Sequence, residues 1–354
     1  MMHYSDYLQL GKILDAQEPE SDRQGQPAHD EMLFIVIHQA YELWFKQLLF
    51  ETDSVIGILA RPTLNDNSPE LQTIVHRLSR CATILKVLVH QIDIMETMTP
   101  MDFLDFRDRL RPASGFQSWQ FKLLEAKLGL KYEHRFGQGY YISQLRQPEI
   151  DRIRSAEKEA SLLQLLNSWL ERMPFFDGDS ALAFWADYRL RYQQSLTDVE
   201  KGNLEYFDSV LQSLSDDSPS PADPAQPPSG AAQPPSGAGT ATRSLSPAAC
   251  RAALFIMLYR GYPLLQLPFQ MLHQLLEIDE QLSTWRFRHM SMVQRMIGTR
   301  IGTGGSTGSN YLGSALQRHH LFREIAALTS FLIERKRLPA LNPEMERRLG
   351  FIAP

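Results

Sequence analysis

Apolar residues recur at intervals of three and four positions along most of the chain, which is the spacing of one face of an α-helix. A long helix is predicted to begin near Asp30, a residue that can cap it. Ser68, Pro69 and Glu70 combine a capping hydroxyl, a proline suited to the first turn and an acidic side chain, so they predict a second long helix over 71–95. Alternating strands closed by hairpin dipeptides are not evident, and the pattern predicts an all-α fold. Further helices are predicted over 101–111, 117–129, 155–172, 179–214, 248–277, 279–297 and 315–336, punctuated by prolines at 112, 174, 263, 268 and 339.

One stretch, 215–247, breaks this pattern. It is rich in proline, glycine and serine and contains the heptapeptide AQPPSGA twice in tandem, at 225–231 and 232–238. Such a segment has little to bury, so it is predicted to be a disordered insertion between two helices. Neither the helices before the insertion nor those after it look sufficient to form a complete pocket alone. We therefore expect residues 1–354 to form a single helical domain that contains the insertion.

The composition and charge are those of an ordinary globular protein. Hydrophobic residues make up 43% of the chain and charged residues 22%, and these proportions allow a large core. A net charge of -5 argues against nucleic acid or an anionic membrane as the partner. Cys81 and Cys250 are too few for a disulfide framework and are predicted to be buried thiols in a reducing compartment. With no signal-peptide pattern and no run of 18 uncharged apolar residues, the expected location is the cytoplasm, in soluble form.

Two pairs of residues place an aromatic ring beside a polar group at helical spacing. Phe34 and His38 are four positions apart and share one helical face, although a histidine there can equally be a core residue bonded to a neighbour. Phe103 and Arg107 are also four apart, so a ring and a guanidinium project together. An arginine fork suits a carboxylate, but this side chain could also face solvent.

A third candidate is His289, four residues after Trp285 on a helix that Gly298 is expected to end. A neutral imidazole on an apolar face is what a haem iron requires as axial ligand, although one histidine on a helix is a weak signal. The glycine-rich run 302–313 lacks the lysine and spacing of phosphate-binding loops. Its hydroxyls, Thr303 among them, could close over a polar group, or the run could be a flexible surface loop. H-E-x-x-H, C-x-x-C-H, paired C-x-x-C and G-x-S-x-G motifs are absent.

Together these clusters closely resemble the tryptophan 2,3-dioxygenase family, haem enzymes that open the indole ring of L-tryptophan. The similarity runs over nearly the whole chain except the proline-rich insertion, and the pieces occur in the family's order. The matching pieces are YSDYLQL (4–10), HDEMLFIVIHQAYELWFKQ (29–47), DFLDFRDRLRPASGFQS (102–118), PFQMLHQLLEID (268–279), WRFRH (285–289) and GTGGSTG (302–308).

The resemblance implies a large helical domain that binds one b-type haem (iron protoporphyrin IX) per subunit, in a homotetramer. L-tryptophan and O2 would be its substrates. His289 would be the proximal ligand of the iron, with Trp285 packed beside it. His38 would lie on the distal side, within hydrogen-bond reach of the indole N–H of the substrate.

The resemblance also implies which residues hold the substrate. Phe34 and Phe103 would sandwich the indole, and Arg107 would bind the carboxylate in a bidentate fork. Thr303 would close over the carboxylate and the ammonium group. Position 103 is Phe where other members carry Tyr, a difference that leaves the apolar body of the ring available for stacking.

Four further residues take roles from the same resemblance. Ser114 and Gly115 would lie beside the haem and the bound oxygen. Tyr4 and Tyr7, from the N-terminal segment, would reach into the pocket of a neighbouring subunit. The tetramer would then be part of the active site.

The implied reaction inserts both atoms of O2 across C2–C3 of the indole of L-tryptophan and gives N-formyl-L-kynurenine, the first step of tryptophan degradation by the kynurenine pathway. The alternative is a haem-dependent oxygenase of the same fold that acts on a modified tryptophan in secondary metabolism. A haem sensor without activity would not need the clamp of Arg107 and Thr303. Whether His38 acts as a base or only orients the substrate stays open at this point.

Overall fold

The computed structural model describes residues 1–62, 64, 68–135, 138–173, 178–211, 243–300 and 319–350. This part of the chain is helical and contains no strand, so the predicted all-α fold is confirmed. Short 3-10 turns connect several of the helices. In chain order the helices are α1 (Tyr4–Leu8), α2 (Leu10–Leu14), α3 (Glu20–Arg23), α4 (His29–Leu59), α5 (Pro69–Met95), α6 (Pro100–Arg107), α7 (Trp119–Leu128), α8 (Gln147–Lys158), α9 (Leu162–Glu171), α10 (Gly178–Ser195), α11 (Asn203–Leu211), α12 (Pro247–Leu258), α13 (Pro263–Ile297), α14 (Arg323–Ala327) and α15 (Pro343–Leu349).

Three long helices form the frame of the molecule: α4 and α13 both pack along α5. The apolar side chains of α5 recur every three or four positions, so they cover a broad stripe that both neighbours bury. Tyr41 of α4 adds a polar contact, because its hydroxyl donates to the carbonyl of Leu88 at 2.8 Å. The fully or almost fully buried residues of α5 include Leu71, Ile74, Leu78, Leu85, Leu88 and Ile92.

The predicted start of α5 is confirmed, whereas that of α4 is wrong in detail. Ser68 caps α5 with its hydroxyl, and Pro69 takes the first helical position. At α4 the N-cap residue is Ala28, which makes no side-chain cap, and Asp30 lies inside the first turn. Glu31 there is buried, and its carboxylate accepts from the backbone N–H groups at the start of α3. The acidic side chain therefore anchors the preceding segment instead of capping its own helix.

Two predicted helices are each broken into shorter ones. The range 155–172 spans the end of α8 and the whole of α9, and Ser161 caps α9 in a reciprocal box with Gln164. The range 179–214 likewise covers α10 and α11. A 3-10 turn separates these two helices, and the N–H and hydroxyl of Thr197 at its start both donate to the carboxylate of Glu200. The helical spacing of apolar residues continues across both breaks and predicted unbroken helices. In the structure, the chain leaves the helix near a hydroxyl residue in each case.

The boundary predicted near residue 278 is wrong, because α13 runs unbroken from Pro263 to Ile297 and includes Pro268. The break lies earlier, at 259–262, before the proline that occupies the first turn of α13. Asp279 does not begin a new helix. Its buried carboxylate accepts from the backbone N–H groups of Leu321 and Phe322, at 2.9 and 3.1 Å.

The C-terminal region also differs from the prediction of one helix over 315–336. Residues 315–318 lie outside the described part of the chain, and α14 covers only Arg323–Ala327 before a 3-10 turn follows. Helix α15, which Asn342 caps, was not predicted. Most of the predicted insertion, 215–242, lies outside the described residues. Its last five residues, 243–247, belong to the folded chain, because the N–H groups of residues 244 and 245 donate to Glu324.

Both cysteines are buried, as predicted, and burial raises the pKa of the Cys81 and Cys250 thiols to about 12. Each thiol is therefore held in its protonated form at neutral pH. Within the described residues, no helix combines the length and the apolar character that crossing a membrane would require.

A candidate active-site cavity between α4 and α13

One cavity of about 320 Å³ brings together residues from five helices, some of them far apart in the sequence. Helix α4 supplies the face that carries His38, α6 and the following turn supply one wall, and α5, α7 and α13 supply further lining residues. The structure therefore places most of the predicted site residues around a single space. Those that line it are Phe34, His38, Phe103, Arg107, Ser114, Gly115, Trp285 and His289.

The α4 face of the cavity is built from Phe34 and His38, one helical turn apart, with ring centroids 4.2 Å from each other. The Nδ1 of His38 lies 2.7 Å from the carbonyl oxygen of Phe34. A carbonyl can only accept, so Nδ1 carries the proton and Nε2 of the neutral ring is an acceptor. Burial lowers the pKa of His38 and outweighs the hydrogen bond to Phe34, which acts in the opposite direction. His38 thus presents a neutral imidazole with a defined tautomer.

Helix α6 carries the second aromatic ring and the guanidinium. Thr99 and Asp102 form a reciprocal capping box, and Pro100 starts the helix, so the start of this short helix is well fixed. The rings of Phe34 and Phe103 are stacked, with centroids 5.7 Å apart. Arg107 lies one turn beyond Phe103 and is 4% exposed. The predicted ring and guanidinium therefore do project into the same cavity.

The opposite face is formed by α13, where the rings of Trp285 and His289 lie parallel, 5.0 Å apart and with an interplanar angle of 3°. Gly298 follows the last residue of the helix with φ 57°, as its sequence position predicted. Burial lowers the pKa of His289 to about 4, and the nearby charge of His38 contributes in the same direction. The imidazole of His289 is therefore neutral over the physiological range, and the two histidines lie close enough to affect each other.

The turn between α6 and α7 forms the rim beside these rings. Ser114 caps a short 3-10 helix, since its hydroxyl accepts from the N–H of Phe116 at 3.2 Å. The side chain of Gln117 returns to the N–H of Ser114, so the turn is closed from both ends. Lys122, one turn into α7, donates to the carbonyl of Phe116. Gly115 is thereby held at the cavity wall within a fully bonded turn.

A buried ionic group that the sequence analysis missed lies against the same cavity. The carboxylate of Glu125 accepts from Arg135 and Arg286, each at 2.8 Å, and His319 is 3.8 Å away. Arg286 also donates to the carbonyl of His319 at 3.0 Å. Glu125 is on α7 and Arg286 immediately follows Trp285 on α13. The available signal was an acidic and a basic residue at apolar helical positions, but only the fold shows that they meet.

Three predicted site residues are not part of this arrangement. Tyr4 and Tyr7 lie on α1, are 71% and 70% exposed, and do not line the cavity of their own chain. Thr303 lies outside the described residues.

A helical fold with a largely apolar cavity lined by two neutral imidazoles and a buried guanidinium defines an all-α protein with an enzyme-like site. Comparison with known proteins identifies the particular family. A family model described as tryptophan 2,3-dioxygenase matches residues 1–332, and the chain belongs to this family. It is accordingly an enzyme, an oxidoreductase of the dioxygenase class.

Similar proteins span distant organisms. The tryptophan 2,3-dioxygenase of Bdellovibrio bacteriovorus is 40% identical, over 99% of this chain and 98% of its own. That of Alteromonas mediterranea is 41% identical, over 99% of this chain and 97% of its own. Tryptophan 2,3-dioxygenase B of Danio rerio is 40% identical, over 97% of this chain and 85% of its own. The similarity therefore extends along the whole length of the bacterial relatives.

The buried ionic group yields a prediction about stability and pH. Burial by itself raises the pKa of Glu125, but the hydrogen bond to His319 and the charges of Arg135 and Arg286 outweigh it and hold the pKa well below 4.5. A carboxyl with a depressed pKa stabilises the fold above its unfolded pKa and loses that effect as the pH falls through the folded value. Glu125→Gln should therefore lower the free energy of unfolding by about 3 kcal/mol at pH 7.

The difference between the wild type and Glu125→Gln should narrow as the pH falls below 4.5, where the carboxyl of the unfolded chain becomes protonated. Denaturant unfolding at several pH values between neutral and acidic measures it. Glu280→Gln, on the exposed side of α13, is the matched control and should change little. If the free energy of unfolding of Glu125→Gln were lower than that of the wild type by the same amount at every pH, this role of the carboxylate would be contradicted.

Proposed function

We propose that this chain inserts both atoms of O2 across C2–C3 of the indole of L-tryptophan and releases N-formyl-L-kynurenine, the first step of tryptophan degradation by the kynurenine pathway. The observation that carries the proposal is the shared cavity of His38, His289, Phe103 and Arg107, which combines two imidazoles with an aromatic wall and a buried cation. An aromatic amino acid has the ring and the carboxylate that such a wall and cation accommodate.

The residues of the α13 face fit a b-type haem. His289 offers a neutral, buried imidazole, which is the form that binds iron. Its Nδ1 is buried and has no hydrogen-bond partner among the described residues. A buried polar atom without a partner is unusual, and a ligand bound in the cavity would account for it. The absence of a C-x-x-C-H sequence means that such a haem is held without covalent attachment. We therefore assign His289 as the proximal ligand, with Trp285 stacked beside it.

The α4 face fits the indole. His38 has an acceptor Nε2, because its Nδ1 proton is already donated to Phe34. An indole offers one N–H donor and no acceptor, so the two groups are complementary. This arrangement supports orientation of the indole as the role of His38. An indole sandwiched between Phe34 and Phe103 needs centroids about 7 Å apart, twice the van der Waals spacing, so both rings must separate from their 5.7 Å contact.

The remaining parts of the amino acid have their own partners in the proposal. Arg107, buried one turn after Phe103, binds the carboxylate in a bidentate fork. Thr303 is proposed to close over the carboxylate and the ammonium group. These contacts hold the substrate at several points, so the bound molecule keeps its reacting carbons in one orientation.

When bound, ferrous haem supplies the position at which O2 binds and becomes reactive toward the closed-shell indole. Ser114 and Gly115 are proposed to lie beside that position, within the bonded turn described above. The aromatic residues Phe34 and Phe103 are backed by the buried ring of Phe106, which lies edge-on to both with centroids 5.6 and 5.4 Å away, and this apolar group excludes water. Both oxygen atoms remain in the product, so no proton relay for the release of water is needed.

We also propose a homotetramer in which the N-terminal segment of one subunit completes the site of another. Apolar side chains on α1 and on the outer face of α4 are exposed in the single chain, and burying them between subunits is favourable. Tyr4 and Tyr7 cannot serve the cavity of their own chain in the conformation described. The exposed apolar residues of these two helices are Tyr4, Tyr7, Leu8, Met32, Val36, Leu43, Trp44 and Phe50.

Isotope labelling tests the reaction. Reduced enzyme with L-tryptophan and ¹⁸O2 should give N-formyl-L-kynurenine in which both new oxygen atoms are labelled, as mass spectrometry of a rapidly quenched sample can show. Unlabelled O2 in ¹⁸O-water is the control and should give an unlabelled product. Incorporation of one labelled atom would instead support the alternative, a haem-dependent oxygenase of modified tryptophans.

Replacing each histidine in turn should distinguish the roles of the two imidazoles. His289→Ala should abolish stable haem binding, because the imidazole that would bind the iron is removed, whereas His38→Ala should retain haem and lose turnover or substrate affinity. Reconstitution of the apoprotein, followed by the Soret absorption, measures haem binding in both variants. His273→Ala, on the exposed side of the same helix α13, is the matched control. A normal Soret spectrum in His289→Ala would refute its role as ligand.

Replacing Arg107 should weaken binding of L-tryptophan far more than binding of tryptamine, which has no carboxylate. The expected loss in Arg107→Ala is about 2–5 kcal/mol for L-tryptophan, the range found when one partner of a buried charge pair is removed. Binding titrations of the reduced, oxygen-free enzyme measure it. Arg109→Ala, two residues further on, half-buried and not part of the cavity lining, is the control. Equal losses for both ligands would contradict a carboxylate contact at Arg107.

A further inference from the structure

Lys122 is a buried ammonium group in the wall of the cavity. It is 6% exposed, belongs to α7, and lies over the ring of Phe116 with its Nζ 4.2 Å from the ring centroid. Its Nζ donates to the carbonyl of Phe116, which uses one of three N–H donors. A buried cation of this kind is costly unless an anion lies nearby.

Two carboxylates act on the charge of Lys122, those of Glu125 and Glu42, and both have other hydrogen-bond partners. Glu125 accepts from Arg135 and Arg286, and Glu42 accepts from the side-chain amide of Gln120 at 2.8 Å. Lys122 itself forms no ion pair with a carboxylate among the described residues. Burial lowers the pKa of Lys122 to about 8 despite the opposing charge of Glu125, so at pH 7 the side chain is still mainly charged.

We propose that Lys122 binds a propionate carboxylate of the porphyrin and so fixes the orientation of the macrocycle in the cavity. The inference rests on the proposed haem and goes beyond it by naming the residue that binds the propionate side of the porphyrin. A propionate supplies the anion that the buried lysine lacks, and the hydrogen bond to Phe116 uses only one of the three N–H donors of the ammonium.

The substrate carboxylate is the other acidic group that the cavity would hold, and the residues around Lys122 argue against it. Arg107 lies on α6 and belongs with the aromatic group of Phe34 and Phe103. Lys122 lies instead on α7, three positions before Glu125, whose carboxylate is paired with Arg286 of α13. Two separate cations thus serve two separate carboxylates, one on the amino acid and one on the porphyrin.

The test compares iron protoporphyrin IX with its dimethyl ester, which has the same ring but no carboxylates. Apoprotein is titrated with each compound, and dissociation is followed by transfer to apomyoglobin. Wild type should bind the free acid at least about 30-fold more tightly than the ester. Lys122→Met should lose most of this preference by weakening the free acid alone, and Lys122→Arg should retain it.

Lys127→Met, also on α7 but paired with Asp53 at 2.6 Å, is the matched control and should keep the full preference. Thermal unfolding of each apoprotein checks the fold, and Lys122→Gln serves as a second neutral variant if Lys122→Met unfolds. Equal weakening of acid and ester in the neutral variants would overturn the proposal, because it would mean that the lysine only supports the turn at Phe116.

Two further outcomes are decisive. If Lys122→Met binds both porphyrins as the wild type does but no longer distinguishes L-tryptophan from tryptamine, the lysine serves the substrate and the proposal is wrong. A wild type that binds neither porphyrin would refute the proposed function itself. A wild type that binds both equally would refute only the role of Lys122.

Discussion

The site depends on the packing of α4 and α13 along the same third helix, α5. Because a helix is a stiff rod, burial against α5 fixes the rotation of α4 and α13 about their own axes and with it the directions of their other side chains. That rotation turns His38 on α4 and His289 on α13 toward one cavity, although the two residues are far apart in the sequence. The geometry of the cavity is thus a consequence of core packing, and the turn after α6 contributes its rim.

Burying charge beside this cavity is possible because the charges neutralise one another. Glu125 receives Arg135 and Arg286, and the backbone carbonyl of His319 takes a further N–H of Arg286. A group in which each donor finds an acceptor avoids most of the cost of desolvation, whereas a half-satisfied one would not. The same contacts join α7, α13 and the segment at 319, so the polar group also holds three walls of the cavity at fixed distances.

The sequence predicted the helical class, the cap at Ser68, the end of α13 at Gly298 and the residues that meet in the cavity. These features depend on local chemistry or on a family pattern. The boundaries inside 155–172 and 179–214 were missed because an apolar period continues across Ser161 and Thr197, and only the backbone shows that a helix ends near each of them. The Glu125 group was missed for a different reason. Its members lie on separate elements, and a charged residue at an apolar helical position carries no sign of its partner.

The two histidines differ in what holds each ring, and this difference suits their proposed roles. The ring of His38 is fixed by a directional hydrogen bond to Phe34, which selects the tautomer and leaves one acceptor pointing away. The ring of His289 is fixed by parallel stacking on Trp285, which sets the plane without using either nitrogen. A residue that must accept a substrate N–H needs a defined tautomer, whereas a metal ligand needs a defined plane and a nitrogen available for the iron. Burial keeps both rings neutral, which each role requires.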